Sequence, residues 1–140
     1  MPKNDPVVDE VKTAEMVVGM ADLASALPLT GTDDFPKVFA TARMVALMEI
    51  AAARLLQPSL DSGELSVGVT VDVTHSAPTP LGARVTATAR FLGREGKLYL
   101  FEVVAEDEAG EVGRGTHKRA IVDSERLRAG ANKRLLNAVS

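Results

Sequence analysis

The chain has 140 residues, 46% of them hydrophobic, with a mean hydropathy of +0.07, which suits one soluble domain with a proper core. A net charge of -3 and a pI near 5.4 argue against nucleic acid as the principal partner, and the absence of cysteine removes thiolate chemistry and any disulfide framework pointing to secretion. No apolar run has signal-peptide character or approaches the roughly 20 residues that span a bilayer, so a cytoplasmic protein with no membrane partner is expected.

Residues 1–10 are polar with two prolines and predict a loose lead-in to a single domain covering 1–140. A first strand is expected over 11–20. Residues 27–36 are dense in turn formers and deliver the chain to a long helix, expected over about 36–56, with Asp33 or Asp34 as its cap and Pro58 marking its stop. From Met44 to Ala53 every residue except Glu49 is apolar, so the helix is apolar nearly all round and is expected to run through the core. Glu49 is then in or beside that core.

Beyond the helix the period changes to two. Val67, Val69, Val71, Val73 and His75 share one parity, and Gly68, Thr70, Asp72 and Thr74 the other, as in a strand buried on one face. Further strands are expected over 83–92, 98–106 and 111–122, with turns at Gly93-Arg-Glu-Gly and Asp107-Glu-Ala-Gly. Residues 124–140 have helical composition with a basic bias, and Gly130 weakens the case for one continuous helix. One strand, a long apolar helix and four antiparallel strands make an α+β pattern, the hotdog arrangement, in which a sheet of about five strands wraps the helix and a short C-terminal helix follows. Such a sheet leaves an edge strand open, so a homodimer that pairs this edge is expected.

Few residues are candidates for chemistry. A carboxylate taken out of water costs on the order of several kcal/mol unless paired, and such surroundings make Glu49 a candidate; the alternative is a Glu that snorkels or pairs with Arg43 or Arg54. His75 ends the valine row just before Ser76-Ala77-Pro78, a rim position that suits a general base or a histidine bonded to backbone. His117, flanked by cations and glycines, has no assigned role. Thr41 lies eight residues before Glu49, about two turns away and within roughly 80° around the helix, so both can border one pocket; a cap or back-bonded hydroxyl is the alternative. Gly68 inside the valine strand marks a bulge or a close approach, where its N–H is also able to face an oxyanion. The sequence has no metal-ligand cluster and no Gly-rich phosphate loop.

Three segments, Phe35-Pro-Lys-Val-Phe-Ala-Thr-Ala-Arg-Met-Val-Ala-Leu-Met-Glu, Val73-Thr-His-Ser-Ala-Pro-Thr-Pro and Gly113-Arg-Gly-Thr-His-Lys-Arg-Ala, resemble the fluoroacetyl-CoA thioesterase family among the hotdog thioesterases. The likeness runs in register over about 35–122. It implies a homodimeric acyl-CoA thioesterase whose active site contains Thr41, Glu49 and His75. It also implies that Phe35 covers the acyl pocket, that Gly68 helps to hold the thioester oxygen, and that Arg119 supports the site or the bound ligand. Arg43 and Ala46 depart from the aromatic residue and glycine of that pattern. The expected activity is hydrolysis of a small acyl-CoA, fluoroacetyl-CoA foremost, with no cofactor or metal and with CoA as part of the substrate. The competing expectation is a non-catalytic acyl-CoA-binding or regulatory hotdog domain.

Overall fold

The computed structural model describes residues 5–139, so the ends of the expected lead-in and of the basic tail lie outside the described residues. Five strands, β1 (Val11–Val17), β2 (Glu64–His75), β3 (Arg84–Glu95), β4 (Leu98–Asp107) and β5 (Gly110–Asp123), form one antiparallel sheet in the order β1-β3-β4-β5-β2. The long helix α1 (Thr41–Leu56) packs across this sheet, and α2 (Ser124–Val139) leaves the end of β5. This is the hotdog arrangement expected from the order of elements.

Met44, Leu47, Met48, Ala51, Ala52, Leu55 and Leu56 recur at helical spacing and bury one face of α1 against Ala87, Ala89, Phe91, Phe101 and Val103 of the sheet. The opposite face is not buried all round as expected. Thr41, Ala42, Arg43 and Ile50 are exposed, and Val45, Ala46 and Glu49 are half-buried, because a single sheet covers only one side of the helix.

The helix also begins later than the sequence suggests. Residues 36–40 are held outside the helix: Phe39 N–H donates to the Thr79 carbonyl at 2.8 Å and Ala40 N–H to the Asp22 carbonyl at 2.9 Å. Asp33 instead closes its own turn, accepting from the N–H groups of Leu29 and Thr30 at 2.8 and 3.0 Å. Thr41 therefore opens α1 behind Ala40, which provides no side-chain cap. The expected first strand likewise ends early, at Val17, and Met20–Asp22 forms a 3-10 turn.

The lead-in is not loose from Asp5 onward. The Asp5 carboxylate accepts from Tyr99 and Arg94, each at 3.2 Å, and Asp9 N–H donates to the Phe91 carbonyl at 2.8 Å. The β3–β4 reversal sits at Gly96-Lys97 rather than beginning at Gly93, with Gly96 in the left-handed region at φ 60°. Gly130 lies within a continuous α2.

Strand β2 is an edge strand, and its alternation is broken. The register with β5 shifts between Gly68 and Thr70, so Val69 is the extra residue of a bulge. Gly68 pairs with Arg119, while Val71 pairs with His117 and His75 with Gly113, which puts all of them on the inner face. Parity alone sets Gly68 and His75 on opposite faces; the bulge brings them to the same one.

Candidate active site

Two polar groups lie along the inner face beneath α1. The first joins the start of the helix to the end of β2. Thr41 Oγ1 is 2.8 Å from His75 Nδ1, and His75 Nε2 is shielded from solvent with no hydrogen-bond partner among the described residues. Both residues line a cavity of about 360 Å³ whose walls include Pro36, Phe39, Ala77 and Pro78. A hydroxyl within reach of an imidazole is the pairing by which a base takes a proton from an attacking oxygen.

The second group centres on Arg119 of β5, whose side chain is only 7% exposed. Its Nη1 donates to Glu49 Oε2 at 2.9 Å and to His117 Nε2 at 3.1 Å. Its Nε donates to Ser66 Oγ at 3.0 Å and its Nη2 to the Ser66 carbonyl at 2.9 Å, so strand β2 fixes the guanidinium plane from the other side. Glu49 is thus paired, but with Arg119, seventy positions away, and not with Arg43 or Arg54. Arg43 lies 3.8 Å from Asp22, and Arg54 donates to the Thr13 carbonyl at 3.2 Å. The Glu49 side chain stays 38% exposed on the open side of α1, where a ligand can meet it.

Gly68 accounts for the fit between these groups. A Cβ there would stand 2.6 Å from Glu49 Oε2 and 3.3 Å from His117 Cε1. Gly68 is therefore both a bulge residue and a place of close approach, the two readings that its position in the strand left open.

His117 is 1% exposed, and its Nδ1 is 2.8 Å from the Thr70 carbonyl. A carbonyl only accepts, so Nδ1 carries the proton and Nε2 presents its lone pair to Arg119. Burial pushes the imidazole below its ordinary value, with Arg119 adding to that and the Thr70 carbonyl and Glu49 opposing it.

The structure brings Thr41 to His75 and Glu49 to Arg119 and Gly68, but it does not bring Thr41 to Glu49. Eight residues of helix separate those two by about 12 Å along the axis. Phe35 is 47% exposed beside Pro36, which lines the cavity. Sequence reasoning missed Ser66 and His117 as members of the Arg119 cluster. Only the period-two pairing of His117 with Arg119 on one face was available to suggest it. Among the described residues no group of three or more His, Cys, Asp or Glu is placed to hold a metal ion, and no helix is long and apolar enough to cross a membrane.

A curled antiparallel sheet wrapped over one long helix is the fold of the hotdog thioesterases. The sequence model for the fluoroacetyl-CoA-specific thioesterase family matches residues 18–125, and the chain belongs to this family. A curated relative, the fluoroacetyl-CoA thioesterase of Streptantibioticus cattleyicolor, is 46% identical over 96 residues, 69% of each chain. A solved structure of a fluoroacetyl-CoA thioesterase superposes with a TM-score of 0.86 at 40% identity, covering 91% of this chain and 96% of the other. A thioesterase superfamily member from Thermus thermophilus follows with a TM-score of 0.83 at 27% identity, covering 96% of each chain.

Proposed function

We propose that this enzyme hydrolyses fluoroacetyl-CoA to fluoroacetate and CoA, with Thr41, His75 and Glu49 as its reactive groups. The observation that carries the reading is the 2.8 Å contact between Thr41 and His75 at the mouth of a cavity beside α1. With water as the nucleophile, Glu49, held by Arg119, orients it while His75 takes its proton and returns it to the CoA sulfur as the C–S bond breaks. With the Glu49 carboxylate as the nucleophile, a mixed anhydride forms as the C–S bond breaks and CoA leaves as the thiolate, and His75 then takes a proton from the water that hydrolyses the anhydride to the free acid and Glu49. Gly68 helps to hold the thioester oxygen, Arg119 supports the site, and Phe35 closes the acyl pocket. No metal or organic cofactor is needed for this chemistry.

A homodimer is part of the proposal. The middle of the β2 edge exposes Val69 and Val71, and an open apolar edge strand is stabilised by pairing. Two β2 strands paired antiparallel about Thr70 would set His75 of the second copy opposite Leu65. That is three residues, about 10 Å, from Gly68, whereas the chain's own His75 is seven residues, about 23 Å, along the strand. A site shared between two copies then unites the groups that one chain holds apart. A cytoplasmic location fits a substrate that carries CoA.

A thiol-release assay across acetyl-, fluoroacetyl-, propionyl- and longer acyl-CoAs tests the reading. Turnover is expected with fluoroacetyl-CoA preferred. Binding of acyl-CoA with no thiol release from any of them would make the chain a non-catalytic hotdog domain.

A further inference from the structure

The geometry points to His117 as a positioning residue of the Glu49–Arg119 pair: its Nε2 lone pair holds one N–H of Arg119 Nη1, so that the other is aimed at the carboxylate. This deepens the reading of Glu49 as a reactive group and rests on it. Arg119 Nη1 has two protons, and both are engaged, one by Glu49 Oε2 at 2.9 Å and one by His117 Nε2 at 3.1 Å. The bond from His117 Nδ1 to the Thr70 carbonyl at 2.8 Å selects the tautomer that leaves Nε2 free to accept. Phe101 of β4 packs beside the imidazole, with ring centroids 6.3 Å apart, and closes its apolar side.

The charged groups facing His117 are Arg119 from its own strand and Glu49 from α1; β2 offers the Thr70 carbonyl and the bare Gly68. A proton on Nε2 would point at the guanidinium and turn an acceptor into a like charge, driving Arg119 off Glu49. His117 therefore works only as the neutral Nδ1–H form. Ser66 holds the Nε and Nη2 edge of the rigid guanidinium, and His117 supplies the acceptor on the Nη1 corner, so the fork is clamped from both ends with its remaining N–H on Glu49.

Two variants of the full chain separate this role from packing. In His117→Gln the amide oxygen reaches the Nε2 position and accepts from Arg119. In His117→Asn the shorter amide reaches only the Nδ1 position, keeping the Thr70 bond and losing the Arg119 bond. With fluoroacetyl-CoA, His117→Asn is expected to lower kcat by about tenfold to a hundredfold with KM within about threefold, and His117→Gln to recover most of that loss. Nitrogen NMR of the wild type is expected to show His117 as the Nδ1–H tautomer across the neutral range, with slowed Arg119 Nη rotation that Asn abolishes and Gln retains. Equal turnover in the two variants at matched melting temperature, or an Nε2–H tautomer in the wild type, would overturn the role. Should either variant fail to fold, the wild-type tautomer decides. If the wild type releases thiol from no acyl-CoA, the thioesterase reading fails, while the NMR signature still judges the contact itself.

Discussion

Gly68 and Glu49 approach so closely that a Cβ on the glycine would stand 2.6 Å from the carboxylate oxygen that Arg119 holds. The backbone at Gly68 is not in the left-handed region, so alanine meets no conformational obstacle there. What must yield is the end of the Glu49 side chain, which is flexible enough to swing away without disturbing the sheet. Gly68→Ala is therefore expected to melt within a few degrees of the wild type while losing about a hundredfold in kcat, since a displacement of about 1 Å at a reacting group is enough for that. Wild-type turnover in a well-folded Gly68→Ala protein would show that the position of the carboxylate is irrelevant to the reaction.

Glu49→Gln keeps volume and hydrogen-bonding reach but removes the charge, and His75→Ala removes the proposed base at the far end of β2. Each variant alone is expected to lose at least about a hundredfold in turnover, the range of a general acid or base, with the fold retained. Mixed in equal amounts and allowed to exchange subunits, the two should recover up to about a quarter of wild-type activity if one copy supplies Glu49 and the other His75. Half the dimers are then mixed, each with one intact site. An active site built wholly within one chain gives no recovery, because every chain carries a lesion.

The buried His117 also links stability to pH. Its folded value lies below the ordinary 6.5 of the unfolded chain, chiefly through burial. The unfolded state therefore binds more protons in the window between the two values, and stability rises with pH there. His117 leaves the fold at full stability above pH 6.5 and subtracts from it as the pH falls through the window below. Denaturant midpoints measured on the acid side should thus fall more steeply for the wild type than for His117→Gln. Parallel curves would mean that His117 is not held neutral.

Much of this arrangement is legible in the residues, and the exceptions share one cause. The helix with one carboxylate, the valine strand ending in His75 and the succession of strands along the chain follow from local periodicity. Thr41, Glu49 and His75 stand out for the same reason. The bulge at Val69 is not local in that sense: it is defined by the partner strand, and it reverses the parity by which Gly68 and His75 appeared to face opposite ways. The ion pair of Glu49 is likewise beyond any helical spacing, because its partner arrives from β5, and sequence neighbours such as Arg43 find other acceptors. The start of α1 moved for a tertiary reason as well, since Phe39 and Ala40 are taken up by backbone bonds to Thr79 and Asp22.

Selectivity is expected to fall to the mouth of the cavity. Phe35 is 47% exposed in this chain, next to Pro36 in the cavity wall, so its ring is free to fold over a bound acyl group and exclude water. A hydrophobic pocket discriminates by only about 1–3 kcal/mol per methylene, so strong preference for fluoroacetyl over acetyl has to come from chemistry or from water exclusion rather than size. Phe35→Ala is accordingly expected to leave hydrolysis of fluoroacetyl-CoA in place while raising the relative kcat/KM for acetyl-CoA and longer acyl-CoAs. The measurement is the ratio of kcat/KM values across the acyl series for both proteins at one pH. If the wild type hydrolyses acetyl-CoA as well as fluoroacetyl-CoA, or if the ranking is the same without the ring, Phe35 is not the cover of the acyl pocket. A general short-chain acyl-CoA thioesterase would then be the better description.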